Sequence, residues 1–160
     1  MELVEARGLS VETWIGQTSG GAYLSAMKED TDLGLELLAD ILRNPAFPED
    51  KIKLAKESQK ATISRRNDNP MTIAQREGMK AVFGPDHPLA RHTEYATIAA
   101  VTRDDLVTFH AKYYHPNNVY LGVVGDFETA KMKEKIAATF GDWAEGPKFD
   151  PPEVPFRREP

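Results

Sequence analysis

The chain has 160 residues, enough for one domain with a sizeable core, and its 41% hydrophobic and 28% charged content is ordinary for a globular protein. A net charge of −5 argues against nucleic acid, which needs a clustered excess of Lys and Arg; the longest basic run is the pair Arg65-Arg66. Without cysteine there is no disulfide framework, thiolate zinc site or cysteine nucleophile, and no stretch approaches the roughly 20 apolar residues of a membrane span.

The first residues, Met1-Glu2-Leu3-Val4-Glu5-Ala6-Arg7, are too charged for a signal-peptide core. Met1 itself is open to two readings, a native start or an added one with natural chain upstream. Residues 9–16 carry apolar side chains at Leu9, Val11 and Ile15, and 20–27 follow after Gln17-Thr18-Ser19, which predicts a β-hairpin. Asp30 or Thr31 can then cap a helix whose apolar residues are Leu33, Leu37, Leu38, Ile41 and Leu42, ending at Asn44-Pro45.

Pro48-Glu49-Asp50 opens a second helix, because proline suits its first position and acids suit the positive end of its dipole. Its apolar stripe is thin, so much of it is expected to be solvated or to lie against something else. Arg65 and Arg66 fall in its last turn. Asn69-Pro70 begins a third helix carrying Ile73, Ala74, Met79, Val82 and Phe83, with Gly84 as its C-terminal cap.

The stretch 84–95 reads as a loop. Thr102-Arg103-Asp104-Asp105 has the pattern of a capped helix start, with Leu106, Phe109 and Tyr113 on one face. The apolar run 119–124 lies between Asn117-Asn118 and Gly125-Asp126 and reads as a buried strand. A last helix spans about 128–140 with Met132, Ile136 and Ala137 inward, and from Gly146 onward proline and charge read as linker or tail. The fold class is therefore α+β, in the order β-β-α-α-α-α-β-α around a small, mostly antiparallel sheet. So few strands leave open edges, and those edges call for strands from a further segment or a partner.

Catalytic patterns are thin. His87 and His92 are five apart in a proline-containing loop, and His110 and His115 are five apart with Pro116 ending their helix. Neither is the one-turn helical pair that zinc sites use, so all four read as polar loop or surface residues. Ser19 lacks a nucleophile elbow, Gly20-Gly21 opens a strand and not a helix, and Asp104-Asp105 reads as a helix start. Arg65 and Arg66 read first as a helix end, and second as a partner or substrate contact, since two guanidinium groups there are good carboxylate receptors.

Several segments in fixed order over 9–143 resemble the insulinase or pitrilysin superfamily of zinc peptidases, which includes the mitochondrial processing peptidase. They are the run 32–47 ending in Asn44-Pro45-Ala46-Phe47, Asp68-Asn69-Pro70, Phe83-Gly84-Pro85-Asp86-His87-Pro88 and Ile98 through Leu106. Tyr113-Tyr114-His115-Pro116-Asn117-Asn118, the run 121–127 and Phe140-Gly141-Asp142-Trp143 complete them. The resemblance implies a duplicated α+β domain whose two halves enclose unfolded peptide. It also implies a zinc site built from His-x-x-Glu-His plus a distant Glu.

No His-x-x-Glu-His stands in this chain, and the segment that would carry it lies before Met1. Counting from Pro45 or back from Pro70, the distant ligand falls at Thr62 and its helper glutamate at Ala55. Thr is a poor zinc ligand and Ala is none. Glu57, the nearest acid, is five residues from Thr62 and points elsewhere on the helix. The family's Arg and Tyr substrate-binding pair belongs to the second-half domain and has no match here.

The resemblance thus implies that 1–145 form the latter part of a first-half, zinc-site-type domain, with 146–160 a linker or tail to a second half. The expected role is non-catalytic: capture of unfolded peptide beside an active zinc-peptidase subunit or the second-half domain. No catalytic or metal-ligating residue is expected here, and zinc only if a missing region or a partner supplies it. The alternatives are a fragment of an active zinc metalloendopeptidase, with its site outside this chain, and a structural assembly domain without peptide binding. Family habit favours a bacterial envelope location over the cytoplasm.

Overall fold

The computed structural model describes residues 7–150. In chain order the elements are β1 (Ser10–Ile15), β2 (Gly20–Ser25), α1 (Thr31–Arg43), α2 (Glu49–Arg65), α3 (Pro70–Phe83), α4 (Tyr95–Ala100), α5 (Arg103–Tyr113) and α6 (Thr129–Phe140). Short 3-10 turns stand at Lys28–Asp30, Pro88–Ala90 and Pro116–Asn118. The readings placed on 1–6 and on 151–160 lie outside the described residues. Among the described residues two compact units divide the chain: 7–46 with 110–149, and 47–109 with 150.

In the first unit β1 and β2 pair antiparallel, from Ser10 opposite Ser25 to Ile15 opposite Gly20, and Gly16 N–H donates to the Ser19 carbonyl across the turn at 2.8 Å. The hairpin is the predicted one. Gly21 faces Trp14, and a Cβ at Gly21 would stand 2.7 Å from the indole Nε1, so the ring lies over the bare backbone. α1 buries Gly34, Leu35, Leu38 and Ala39.

That face is rotated from the predicted one, since Ile41 is exposed. A glycine scores nothing in a hydrophobic pattern. Here Gly34 is the point where β2 comes closest, with a Cβ position 3.0 Å from a Leu24 methyl. Neither predicted cap acts through its side chain as a cap. The Asp30 carboxylate is engaged by Arg7 at 2.8 Å, and the Thr31 hydroxyl donates back to the Lys28 carbonyl. α6 packs against α1 and buries Met132, with Lys135 paired to Asp32 and Arg43 paired to Asp142 at 2.8 Å. Ala137 is exposed, not inward as expected, because the covered side of α6 runs through Met132, Lys135, Ile136, Thr139 and Phe140.

In the second unit the expectation of a thin stripe on α2 holds. Ile63 is buried, while Leu54 is 65% exposed. α3 starts as predicted: Pro70 takes the first position and the Asn69 side chain accepts from Met71 N–H at 2.9 Å. It stops at Gly84, whose φ of 90° is a conformation that favours glycine. Val82 on α3 is exposed. α4 was not foreseen. It is a six-residue helix, too short to show a periodic stripe, and it forms because Ile98 is buried where α4 packs on α2.

The Thr102 cap of α5 is the predicted one. Asp105 N–H donates to the Thr102 hydroxyl oxygen at 3.2 Å, and the Thr102 N–H and hydroxyl both donate to the Asp105 carboxylate at 2.7 Å. Phe109 on this helix is exposed rather than inward. Phe47 holds φ = 45° with its carbonyl accepting from Arg103 Nε at 3.1 Å, a left-handed conformation that tertiary contacts must hold in place.

Thr102→Ala is expected to lower the stability of this unit by about 1 kcal/mol, the usual worth of such a cap, read from urea denaturation. A variant as stable as the parent would deny the cap that role. The same hydrogen bonds, from the Thr102 hydroxyl first and its N–H second, hold the Asp105 carboxyl below its ordinary range. A depressed folded value makes this stabilisation fully present above the unfolded value, near 4. It fades as pH falls through the lower folded value. Protection factors at the start of α5, taken relative to the intrinsic exchange rate at each pH, should therefore fall in acid, and Asp105→Asn should remove that pH dependence.

The third predicted strand is not formed. Residues 119–124 carry no strand pairing, and the sheet of the described residues has two strands. Tyr120 and Val124 are wholly exposed. The run has the composition of a buried strand, but within the described residues nothing pairs with it.

Candidate functional site

α2 carries Ala55, Glu57, Thr62 and Arg65, and Arg66 caps it. Residues 55 and 62 are seven apart, about two helical turns, so Ala55 and Thr62 share a face. Both are exposed. The Thr62 hydroxyl donates to the Ser58 carbonyl at 3.1 Å, a bond back onto the helix's own backbone that keeps the side chain close to it. Glu57 is turned away from that face and pairs with Lys60 at 2.8 Å, which holds its carboxyl below the usual range.

Ala55 lines an apolar hollow of about 430 Å³ together with Phe47, Ile52, Ile98, Val101 and Leu106. A carboxylate there would have apolar neighbours and Lys56, whose ammonium is already donated to the Val101 carbonyl. Among the described residues, no three His, Asp or Glu side chains come together as a metal group. The family's zinc does not fit the residues present.

Three of the four histidines make hydrogen bonds that serve the fold. His87 is buried, accepts from Leu89 N–H through Nδ1 at 3.1 Å and stacks on Phe83 at 4.8 Å, so it caps the turn at Pro88–Ala90. It is a polar loop residue, one of the two readings given, and the loop folds back to cover it. His92 has a buried Nε2 without a partner among the described residues. His110 bonds the Leu42 carbonyl at 2.8 Å and stacks on Tyr114, while His115 bonds the Ala111 carbonyl at 2.8 Å.

Arg65 and Arg66 part company. Arg66 donates to Glu94 at 2.8 Å and to the Thr93 carbonyl at 3.4 Å, and the Glu94 carboxyl is held low by that bond. Arg65 is exposed, and its guanidinium makes no hydrogen bond or ion pair among the described residues. Of the two guanidinium groups, only Arg65 is available to a partner without breaking a contact. Sequence reasoning did not find Glu94, which stands 28 residues from Arg66 with no local signal linking them. Nor did it find Arg76, which donates to Glu77 and Asn67 at 3.0 Å and keeps a buried terminal nitrogen without a partner among the described residues.

Residues 100–160 match the family described as "Peptidase M16 inactive domain". An uncharacterized zinc protease of Rickettsia felis is 30% identical over 130 residues, covering 79% of this chain and 31% of that protein. One of Mycobacterium leprae is 25% identical over 142 residues, covering 88% of this chain and 32% of its own. The chain thus spans about a third of the length of these relatives.

Among solved structures, a protease from Helicobacter pylori superposes with a TM-score of 0.78 at 19% identity, over 98% of this chain and 38% of that one. The first half of the periplasmic protease PqqL from Escherichia coli gives 0.77 at 18%, over 99% and 36%. Both accord with the α+β fold expected here. With its ordered motifs, its matching family segment and this shared fold, the chain is similar to the insulinase/pitrilysin-type superfamily of zinc peptidases.

Proposed function

We propose that this chain is the latter part of a first-half domain in an insulinase-like protein, and that its work is non-catalytic: it helps to hold unfolded peptide beside an active zinc-peptidase partner or second-half domain. The observation that carries this reading is the pair Ala55 and Thr62. The first offers no donor atom, and the second has its hydroxyl tied to the Ser58 carbonyl. A zinc ligand set needs three or four well-placed donors, and this face supplies none of that quality. β1 supports the peptide-holding half of the proposal. It pairs on one side with β2, and its Trp14 and Ile15 are more than half exposed, which suits an extended peptide added at a sheet edge.

Fluorescence of Trp14 in the presence of an unstructured peptide tests that half. A shift in emission that disappears in Trp14→Phe supports it, whereas a signal that persists in that variant places binding away from β1. Zinc analysis of the longest natural polypeptide containing this chain tests the other half. The names of the relatives favour a second reading, in which that longer polypeptide is an active zinc protease with its ligands outside these residues. Stoichiometric zinc with peptide hydrolysis would establish the second reading. Peptide binding without zinc would establish the first. Family habit supports an envelope location, in keeping with the periplasmic protease whose first half shares this fold.

A further inference from the structure

Residues 146–149, in the stretch whose proline and charge read as linker or tail, are held against the end of α5. The Asn117 side chain donates from Nδ2 to the Gly146 carbonyl at 3.0 Å, and its Oδ1 accepts from the Gly146 N–H at 3.0 Å. One side-chain amide thus satisfies both backbone groups of a residue 29 positions away, much as a residue on a neighbouring strand would. Against Gly146 lies the His115 ring, whose Nε2 is bonded to the Ala111 carbonyl at 2.8 Å. A Cβ at Gly146 would run into that ring, so no side chain fits there. Three residues on, Phe149 meets Tyr113 edge to face, with ring centroids 5.1 Å apart.

We propose that Asn117 is a positioning residue: with His115 it clasps the chain at Gly146, so that 146–149 form a strap on the end of α5 and the polypeptide leaves this unit beyond Phe149, not at Trp143. The clasp stands on ordered backbone. Asn117 lies in the 3-10 turn Pro116–Asn118, where Asn118 N–H donates to the His115 carbonyl at 2.9 Å and the Asn118 side chain donates to the Tyr113 carbonyl at 3.0 Å. Less conformational freedom is therefore lost when Gly146 docks. The chemistry is particular to asparagine. Aspartate accepts from the Gly146 N–H but has nothing to donate to its carbonyl, and alanine does neither. Glycine is needed opposite for space and not for conformation, since Gly146 is not among the glycines of positive φ.

What the strap decides is direction. Without it the last fixed point after α6 would be the turn in which Trp143 N–H donates to the Phe140 carbonyl at 3.0 Å. With it, whatever follows Asp150 starts from beside the end of α5. The inference goes beyond the proposed function and stands whether or not zinc chemistry has been lost.

Amide exchange at Gly146 and tryptic cleavage after Lys148 test it, in the longest natural polypeptide that contains this chain. Asn117→Ala is expected to lower Gly146 protection and to raise the cleavage rate by at least ~10-fold each, the effect of two lost hydrogen bonds, while the amides of α6 keep their protection. Asn117→Asp should keep part of the Gly146 protection, because its carboxylate still accepts from that N–H. Gly146→Ala should release the strap as fully as Asn117→Ala. Adding His115→Ala to Gly146→Ala should restore slow cleavage by making room for the methyl group. An unprotected Gly146 in the parent would overturn the proposal, as would an Asn117→Ala strap cut no faster than the parent's. Release by Gly146→Ala that His115→Ala does not relieve would overturn the part given to His115. Loss of α6 protection in both Asn117 variants would overturn the strap as a local element.

Discussion

Leu38→Ala is expected to lower the stability of the first unit by about 3 kcal/mol, the middle of the range for deleting a buried leucine side chain. Leu38 is 4% exposed on α1, in a core where Leu9, Leu35, Ala39 and Met132 are the other well-covered apolar groups of that unit. A core this sparse has little with which to refill the space, so the full loss of transfer energy and contact is expected. The control is Ile41→Ala on the same helix. Ile41 is 41% exposed, and its truncation should cost less than about 1 kcal/mol. Urea denaturation followed by far-ultraviolet circular dichroism measures both. Equal losses at the two positions would mean that α1 does not bury the face described.

Gly34→Val is expected to cost about 2–3 kcal/mol, through overpacking and not through a lost contact. A Cβ at Gly34 already falls 3.0 and 3.1 Å from the two Leu24 methyls and 3.5 Å from the Ala26 Cβ. Valine adds two methyl groups beyond that point, in a β-branched side chain with one favoured helical rotamer. Either the helix must move off β2 or Leu24 must leave its place. A double-mutant cycle decides which neighbour resists. With Leu24→Ala present, Gly34→Val should lose at least about half its cost, since contacting residues couple by 0.5–3 kcal/mol. Simple additivity would locate the clash elsewhere.

The two positions also separate what a sequence can show from what it hides. Leu38 was legible, because a large apolar residue at helical spacing announces a core face. Gly34 was not, because closeness of approach is a property of two elements and a glycine carries no hydrophobic signal. The same division runs through the site on α2. The register that places Ala55 and Thr62 seven residues apart follows from fixed motifs on either side. The engagement of Arg66 by Glu94 follows only from the fold, and it leaves Arg65 as the guanidinium of that pair without a contact among the described residues.

Local chemistry is what the sequence determined by itself. The hairpin of β1 and β2, the Asn69-Pro70 start of α3, the Gly84 stop and the Thr102-Asp105 cap all formed as they were read. Each depends on interactions within a few residues, so each survives whatever surrounds it. Tertiary structure decided the rest. α4 exists because Ile98 finds cover against α2, and His87 is buried because its loop folds back onto α3. The run 119–124 marks the limit from the other side. Its side chains specify a strand as clearly as any in the chain, but a strand is a pairing, and a pairing needs a neighbour that composition cannot supply.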